Sequence, residues 1–260
     1  MRNFRRNCVR WTLELVLATG LLTLNNANAS FITAGCAAVN QYCTLAELSN
    51  PSAFINIDQV VFNHFDFIGS GAIKVTPIDS PGNGTPVGLR FTPLDPALNP
   101  WFAAVPISSP SSTAAFGELI DYDANVLGGL LVGGAEMAAT FIENVSGGFY
   151  NTLGAQKEIS VAPAAMAATC AGANLPFAEC DGATVTDAVN FLPSETFHVS
   201  EAVDGSAMRV TGGGTVQIGI SQLDNLFVRV PDPATTALLA IGGAALCWSR
   251  RRAGQRADAA

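Results

Sequence analysis

Phe197-His198-Val199-Ser200-Glu201-Ala202-Val203 sets Phe197, Val199 and Val203 on one side of an extended chain. A step of two between apolar side chains is the period of a half-buried β-strand, with one face on a core and the other in water. The same step recurs in Val87-Gly88-Leu89-Arg90-Phe91-Thr92 and in Thr215-Val216-Gln217-Ile218-Gly219-Ile220. Working outward, further runs predict strands at 59–68, 72–76, 115–122, 136–143, 148–153, 158–161 and 225–229. Gly, Pro, Asn and Asp interrupt them, and 76–85, 92–100 and 107–112 read as loops. The Ala-Met-Ala-Ala run within 162–173 predicts a short helix or a compact loop. Roughly ten short strands between 30 and 229 predict an all-β domain, an antiparallel, jelly-roll-like β-sandwich.

The ends of the chain differ from its middle in charge. Four of the 13 Lys and Arg precede residue 11 and four follow residue 249, while five basic residues face eighteen acidic ones between 30 and 230. So acidic a domain repels phosphate backbones, which excludes nucleic acid as a partner. At the start, Arg2, Arg5, Arg6 and Arg10 precede an apolar run, 11–24, and then Ala27-Asn28-Ala29. This order predicts a signal peptide over 1–29, passed by the Sec translocon and cut by signal peptidase between Ala29 and Ser30. At the other end, Val230-Pro231-Asp232-Pro233 precedes an apolar run, 235–248, followed by Arg250, Arg251 and Arg252. The apolar run predicts a short C-terminal transmembrane helix, below the roughly 20 residues that span a bilayer comfortably. The arginines would hold its end in the cytoplasm and leave the domain facing outward. Residues 254–260 are expected to be a disordered tail.

A Pro-acid-Pro box, a short apolar helix and a terminal arginine cluster, in that order over 230–253, resemble the PEP-CTERM sorting signal of Gram-negative bacteria. The usual middle residue is Glu; Asp232 keeps the carboxylate on a side chain one methylene shorter. The resemblance implies that an exosortase recognises Pro231-Asp232-Pro233. The inner membrane would then hold the chain only transiently, before release or transfer to the cell surface or extracellular matrix. Such proteins are associated with exopolysaccharide and biofilm. The domain also resembles a recurring PEP-CTERM ectodomain type, through Cys43-Thr44-Leu45-Ala46-Glu47-Leu48, 57–67, Gly88-Leu89-Arg90-Phe91, 121–126 and 220–227. Thr184-Val185-Thr186 is a lone Thr-x-Thr, whereas a flat ice-matching face needs a ladder of them.

Cys8 lies in the signal peptide and Cys247 in the apolar C-terminal run, which leaves Cys36, Cys43, Cys170 and Cys180 in the domain. Four cysteines allow three pairings. Local pairing, Cys36 with Cys43 and Cys170 with Cys180, closes two short loops and suits an oxidising periplasm. Gaps of six and nine residues do not match the two to four of zinc sites.

Little else points to chemistry. His64 and His198 each fall in a predicted strand beside Phe65 or Phe197, where alternation alone predicts a packed or exposed ring. Gly-x-Ser-x-Gly, His-Glu-x-x-His and phosphate-loop motifs are absent from the sequence. The chain is therefore expected not to be an enzyme and to need no cofactor. Calcium is the one ion weighed, because Asp121-Tyr122-Asp123-Ala124-Asn125 opens like an oxygen-ligand loop. Val126, however, replaces the turn glycine, and Val132 stands where a bidentate Glu belongs. A Ca²⁺ site of another type would draw on Glu118 or Glu143. Tyr42, Tyr122, Tyr150 and Trp101 are too few for a broad sugar platform. The expectation is a structural or adhesive envelope protein with polysaccharide as its natural partner. The alternatives are a secreted carbohydrate-active hydrolase, which needs two facing carboxylates, and a permanently tail-anchored binding protein.

Overall fold

Alternation of this kind produces fourteen strands in a computed structural model that describes residues 31–38, 41–79, 86–105, 112–145, 148–170, 180–209 and 214–231. The chain runs through β1 (Phe31–Ala34), β2 (Cys43–Thr44), a one-turn helix α1 (Leu45–Leu48), β3 (Phe54–Ile57), β4 (Val60–Ile68), β5 (Ile73–Asp79), β6 (Pro86–Pro93), a 3-10 turn (Pro96–Leu98) and β7 (Phe102–Val105). It continues through β8 (Ser112–Val126), β9 (Leu130–Val145), β10 (Gly148–Ile159), β11 (Met166–Thr169), β12 (Thr184–Ser194), β13 (Thr196–Arg209) and β14 (Val216–Pro231). One sheet has the order β1-β3-β4-β8-β13-β10-β11; the other is β12-β9-β14-β6-β5-β2, with β7 also on β14. Among the described residues no helix is long and apolar enough to cross a membrane. The expected signal peptide, apolar C-terminal helix and tail lie outside the described residues.

The two sheets pack face to face because the long strands β4, β8, β9, β13 and β14 bury alternate residues over much of their length. Ile120, Tyr122, Ala124 and Val126 of β8 point inward, as do Phe197, Val199 and Val203 of β13. Aromatic side chains join the layers: Phe62 and Phe197 of the first sheet lie 5.6 and 5.2 Å from the Phe227 ring of the second. Tyr122 and Phe91 meet across the same gap at 6.2 Å. Antiparallel strands with one face buried and one wet are the expected β-sandwich.

The structure corrects several predicted boundaries. Within 162–173, where a helix or loop was expected, Met166–Thr169 forms β11, with Met166 and Ala168 buried against the core; edge pairing with β10 overrides alanine's helical preference. Of the loop predicted at 76–85, residues 76–79 belong to β5, which pairs with β6 through Asp79↔Val87. The runs 148–153 and 158–161 merge into one strand, β10, which stops at Ile159, and 215–220 and 225–229 merge into another, β14, which starts at Val216. In β14 the buried positions change from even (Val216, Ile218, Ile220) to odd (Leu223, Asn225, Phe227). That change of phase makes one strand read as two.

Local chemistry fixes the start of the domain. Thr44 and Glu47 form a capping box around α1. Glu47 also accepts from the Ala37 amide at 2.8 Å, and the backbone hydrogen bonds from Thr44 and Ala37 hold its carboxyl below the usual range. Beside it Cys36 and Cys43 are bridged, and Cys170 is bridged to Cys180, so the local pairing is the one found. Two disulfides suit an oxidising, extracytoplasmic compartment. A Cys36→Ser/Cys43→Ser variant is expected to lose about 2–3 kcal/mol in urea denaturation, the chain-entropy value for so short a loop; a loss below 1 kcal/mol would show that the capping box alone holds this segment.

Candidate functional site

β4, β8 and β13 are neighbours, and their outward residues make one polar surface. Asp121, Asp123 and Asn125 alternate with buried Ile120, Tyr122 and Ala124, so all three face out. Asn63 and His198 both stand opposite Asp123 in the ladder. Between Asn63 and Asp66 the register of β4 slips, and His64 adopts a left-handed φ of 54°. A bulge of this kind re-aims a side chain. His64 Nδ1 thereby donates to Asp123 Oδ2 at 2.9 Å, while His198 Nδ1 donates to Oδ1 at 2.9 Å. His198 Nε2 lies 3.7 Å from Asp121 Oδ1, and Asn125 donates to Asn63 at 3.0 Å. Both histidines of the chain thus clasp one carboxylate. Each ring is exposed, one of the two placements that strand alternation allowed; their convergence had no sequence signal, because it depends on register and on the bulge.

Partial burial raises the Asp123 pKa, but the hydrogen bonds from His198 and His64 outweigh it and leave the carboxyl below its ordinary 3.8. The folded state therefore holds its proton less readily than the unfolded chain. Asp123 contributes stability above the ordinary value, and that contribution is lost as pH falls through the lowered one. Asp123→Asn is expected to flatten the acid limb of the Tm-against-pH curve; an unchanged acid limb would show that the clasp has no energetic weight.

The calcium expectation meets a different geometry. Asp121, Asp123 and Asn125 lie along a straight strand, where successive outward residues are about 6.6 Å apart, rather than around a loop. Glu118 and Glu143 do not join them. Glu118 faces inward and accepts from Trp101 Nε1 at 2.7 Å and from the Ser70 amide at 2.6 Å. Glu143 lies in the other sheet, accepting from the Cys180 amide at 3.1 Å beside the Cys170–Cys180 bridge. Glu143, Cys170 and Cys180 are close enough to suggest a metal group, but sulfurs bonded to each other offer no thiolate.

A second polar cluster lies inside the sandwich. Lys157 (β10), Glu201 (β13), Tyr122 (β8) and Asn225 (β14) are all fully buried. Lys157 and Glu201 are direct partners in the β10–β13 ladder, so their side chains leave the first sheet side by side. Asn225 approaches from the second. Lys157 Nζ donates to Asn225 Oδ1 at 3.1 Å and sits 4.4 Å from the centre of the Phe227 ring. Tyr122 donates its hydroxyl to Glu201 Oε1 at 2.9 Å.

Desolvation drives the lysine pKa down and the glutamic acid pKa up, while each partner's charge pulls in the opposite sense. Asn225 also leans on Glu201 and favours its ionised form. Even so, Glu201 Oε2 and Asn225 Nδ2 make no hydrogen bond of good geometry, and an unsatisfied buried polar atom costs about 1–3 kcal/mol. Apolar side chains of similar size would fill this space at lower cost. The sequence did carry a signal: Glu201 falls in phase with Phe197, Val199 and Val203, and Asn225 in phase with Leu223 and Phe227.

No family model matches the chain. No curated protein matches it either. Among solved structures, TmCBM61 in complex with β-1,4-galactotriose is 7% identical, over 64% of this chain and 88% of its own, with a TM-score of 0.26. The enzymatically active domain of tailspike protein 4 of bacteriophage CBA120 is 13% identical over 64% of this chain and 19% of its own, with a TM-score of 0.18. A GH31 α-xylosidase from Xanthomonas citri is 7% identical over 78% of this chain and 28% of its own, at 0.18.

The remaining expected site residues are distributed as follows. Val230 and Pro231 end β14. Asp232, Pro233, Arg250, Arg251 and Arg252, and at the other end Ala27, Ala29 and Ser30, lie outside the described residues. Trp101 and Tyr122 are buried and present no ring to a ligand; Tyr42 packs under Lys74, 4.5 Å from its Nζ.

Proposed function

We propose that the chain is an exported, exosortase-sorted protein of the Gram-negative envelope or extracellular matrix, with a structural or adhesive role in exopolysaccharide. The observation that carries this reading is the way the domain ends. A disulfide-bonded sandwich finishes with β14 at Pro231, the first proline of the box, so the sequence offered to a membrane protease follows directly on the last strand. An extended, acidic β-sandwich surface with hydrogen-bonding side chains, among them Asn63, His64, Asp66, Asp121 and His198, is suited to hydroxyl-rich polymers.

The test is the intact mass of the mature C-terminus in cells with and without active exosortase. Loss of 235–260 only when exosortase is active is the expected result. A C-terminus intact in both would overturn the sorting reading and leave a tail-anchored surface protein.

A further inference from the structure

Lys157, Asn225 and Glu201 place an amine, a carboxamide and a carboxyl group together in a compartment without access to water. Nζ is 3.1 Å from Asn225 Oδ1, and Cγ lies one C=O bond, about 1.23 Å, behind that oxygen. Nζ is therefore within about 4.3 Å of Cγ, and a slide of the amine from the oxygen toward the carbon brings the two to the roughly 3–3.5 Å of a near-attack pair. The three groups sit on the long strands β10, β14 and β13, so their separation is set by the sheets rather than by loop motion.

We propose that Lys157 Nζ and Asn225 Cγ become joined in an intramolecular amide that covalently ties the two sheets, with Glu201 carrying the proton. The Nζ lone pair adds to Cγ, and the Cγ–Nδ2 bond breaks. Nζ gives up one proton through Glu201, Nδ2 receives it and departs as ammonia. Glu201 finishes in the protonation state in which it began. No oxidant, nucleotide or metal enters the balance.

Three features of the cluster support this step. The attacking nitrogen must be neutral, and burial lowers the lysine pKa while raising that of Glu201; moving one proton from Lys157 to Glu201 turns a costly buried ion pair into a neutral one. The aromatic wall keeps the site dry, with Phe227 under Nζ and Tyr122 stacked on Phe65 at 5.1 Å. Finally, the unpartnered atoms are those the reaction uses. Asn225 Nδ2, the leaving group, and Glu201 Oε2, the carboxyl oxygen beside the Tyr122-bound one, both lack a hydrogen bond of good geometry although Asn225 leans on Glu201. Amide formation removes Nδ2 altogether and creates an N–H within reach of the Glu201 carboxyl group, which ends protonated as it began, so two buried defects are resolved together.

This inference does not depend on how the protein is sorted. The full-length protein, with its disulfides reduced, would be digested with trypsin and sequenced by tandem mass spectrometry. The expected result is a branched peptide joining Lys157 to Asn225, with no cleavage after Lys157 and an intact mass lower by one ammonia. Mass alone does not decide, since ring closure at Asn83-Gly84 also releases ammonia. Lys74 is the chain's other lysine, and its peptide is expected to stay linear. Glu201→Gln, checked for folding by circular dichroism, is expected to give linear peptides throughout. Linear Lys157 and Asn225 peptides from folded wild-type protein would overturn the proposal; a branched peptide persisting in Glu201→Gln would overturn the role given to Glu201.

Discussion

Trp101→Ala is expected to destabilise the domain by about 3–5 kcal/mol, read from urea or thermal denaturation. Trp101 is fully buried just before β7. It is held there by its own backbone: its amide donates to Asn99 Oδ1 at 2.8 Å and its carbonyl accepts from the Ile220 amide at 2.9 Å. Truncation would leave a cavity between rigid strands that cannot close around it. It would also strip Glu118 of its indole donor, and that carboxyl is already pushed up by burial against the hydrogen bonds from Ser70 and Trp101. Trp101→Phe separates the two contributions, because it keeps most of the volume and removes the N–H; a loss of about 1–3 kcal/mol is expected from the deprived carboxyl. Equal losses in the two variants would show that the hydrogen bond, and not the ring, accounts for the effect.

Gly88→Ala is expected to cost at least about 3 kcal/mol, although it adds a single methyl. A Cβ at Gly88 would meet the Asn225 carbonyl oxygen at 1.8 Å and the carbonyl carbon at 2.8 Å. Those are backbone atoms of the partner strand, so no side chain can rotate away and β6 must part from β14. Because Asn225 is the residue displaced, the same variant is expected to hinder its approach to Lys157. Gly117→Ala is the control: an added Cβ meets nothing within 4 Å there, and a gain of about 0.4–1 kcal/mol is expected from the stiffer unfolded chain. Similar losses at both positions would mean that strand flexibility, and not steric conflict, makes glycine necessary at 88.

Period-two alternation made the β-sandwich legible, because it records which face of each strand is dry, and the long central strands β8, β9, β13 and β14 all lie over predicted runs. Short elements were harder to read. β1, β3 and β7 have four residues each, too few to establish a period, and β11 hides in an alanine-rich run whose local preference is helical. The turn between β3 and β4 is also silent in sequence, for Asp58 and Gln59 adopt φ of 42° and 74° where Asn-Gly would be usual. Arg229 reaches from β14 to hydrogen-bond the Asp58 carbonyl at 3.1 Å, and that contact stabilises the turn. Of the site, the disulfides were legible from spacing. The His64–Asp123–His198 clasp was not, since it brings together residues far apart in sequence through a bulge. The buried lysine, glutamic acid and asparagine were readable only as interruptions of an apolar phase, and alternation gives no register between strands.

The placement of β14 has a mechanical consequence. Any tension applied to the chain beyond Pro231 enters the domain along this strand, which lies within its sheet between β9 and β6, with β7 also bonded to it. Antiparallel ladders pulled along the strand axis are loaded in shear, so many hydrogen bonds must fail together before the strand slides. The same strand pulled from a sheet edge would unzip one bond at a time. With Asn225 joined to Lys157, the load would pass through a covalent bond into the opposite sheet, and only 226–231 could extend. A domain tethered in this way would hold its shape under drag that exceeds what its folding free energy alone could resist.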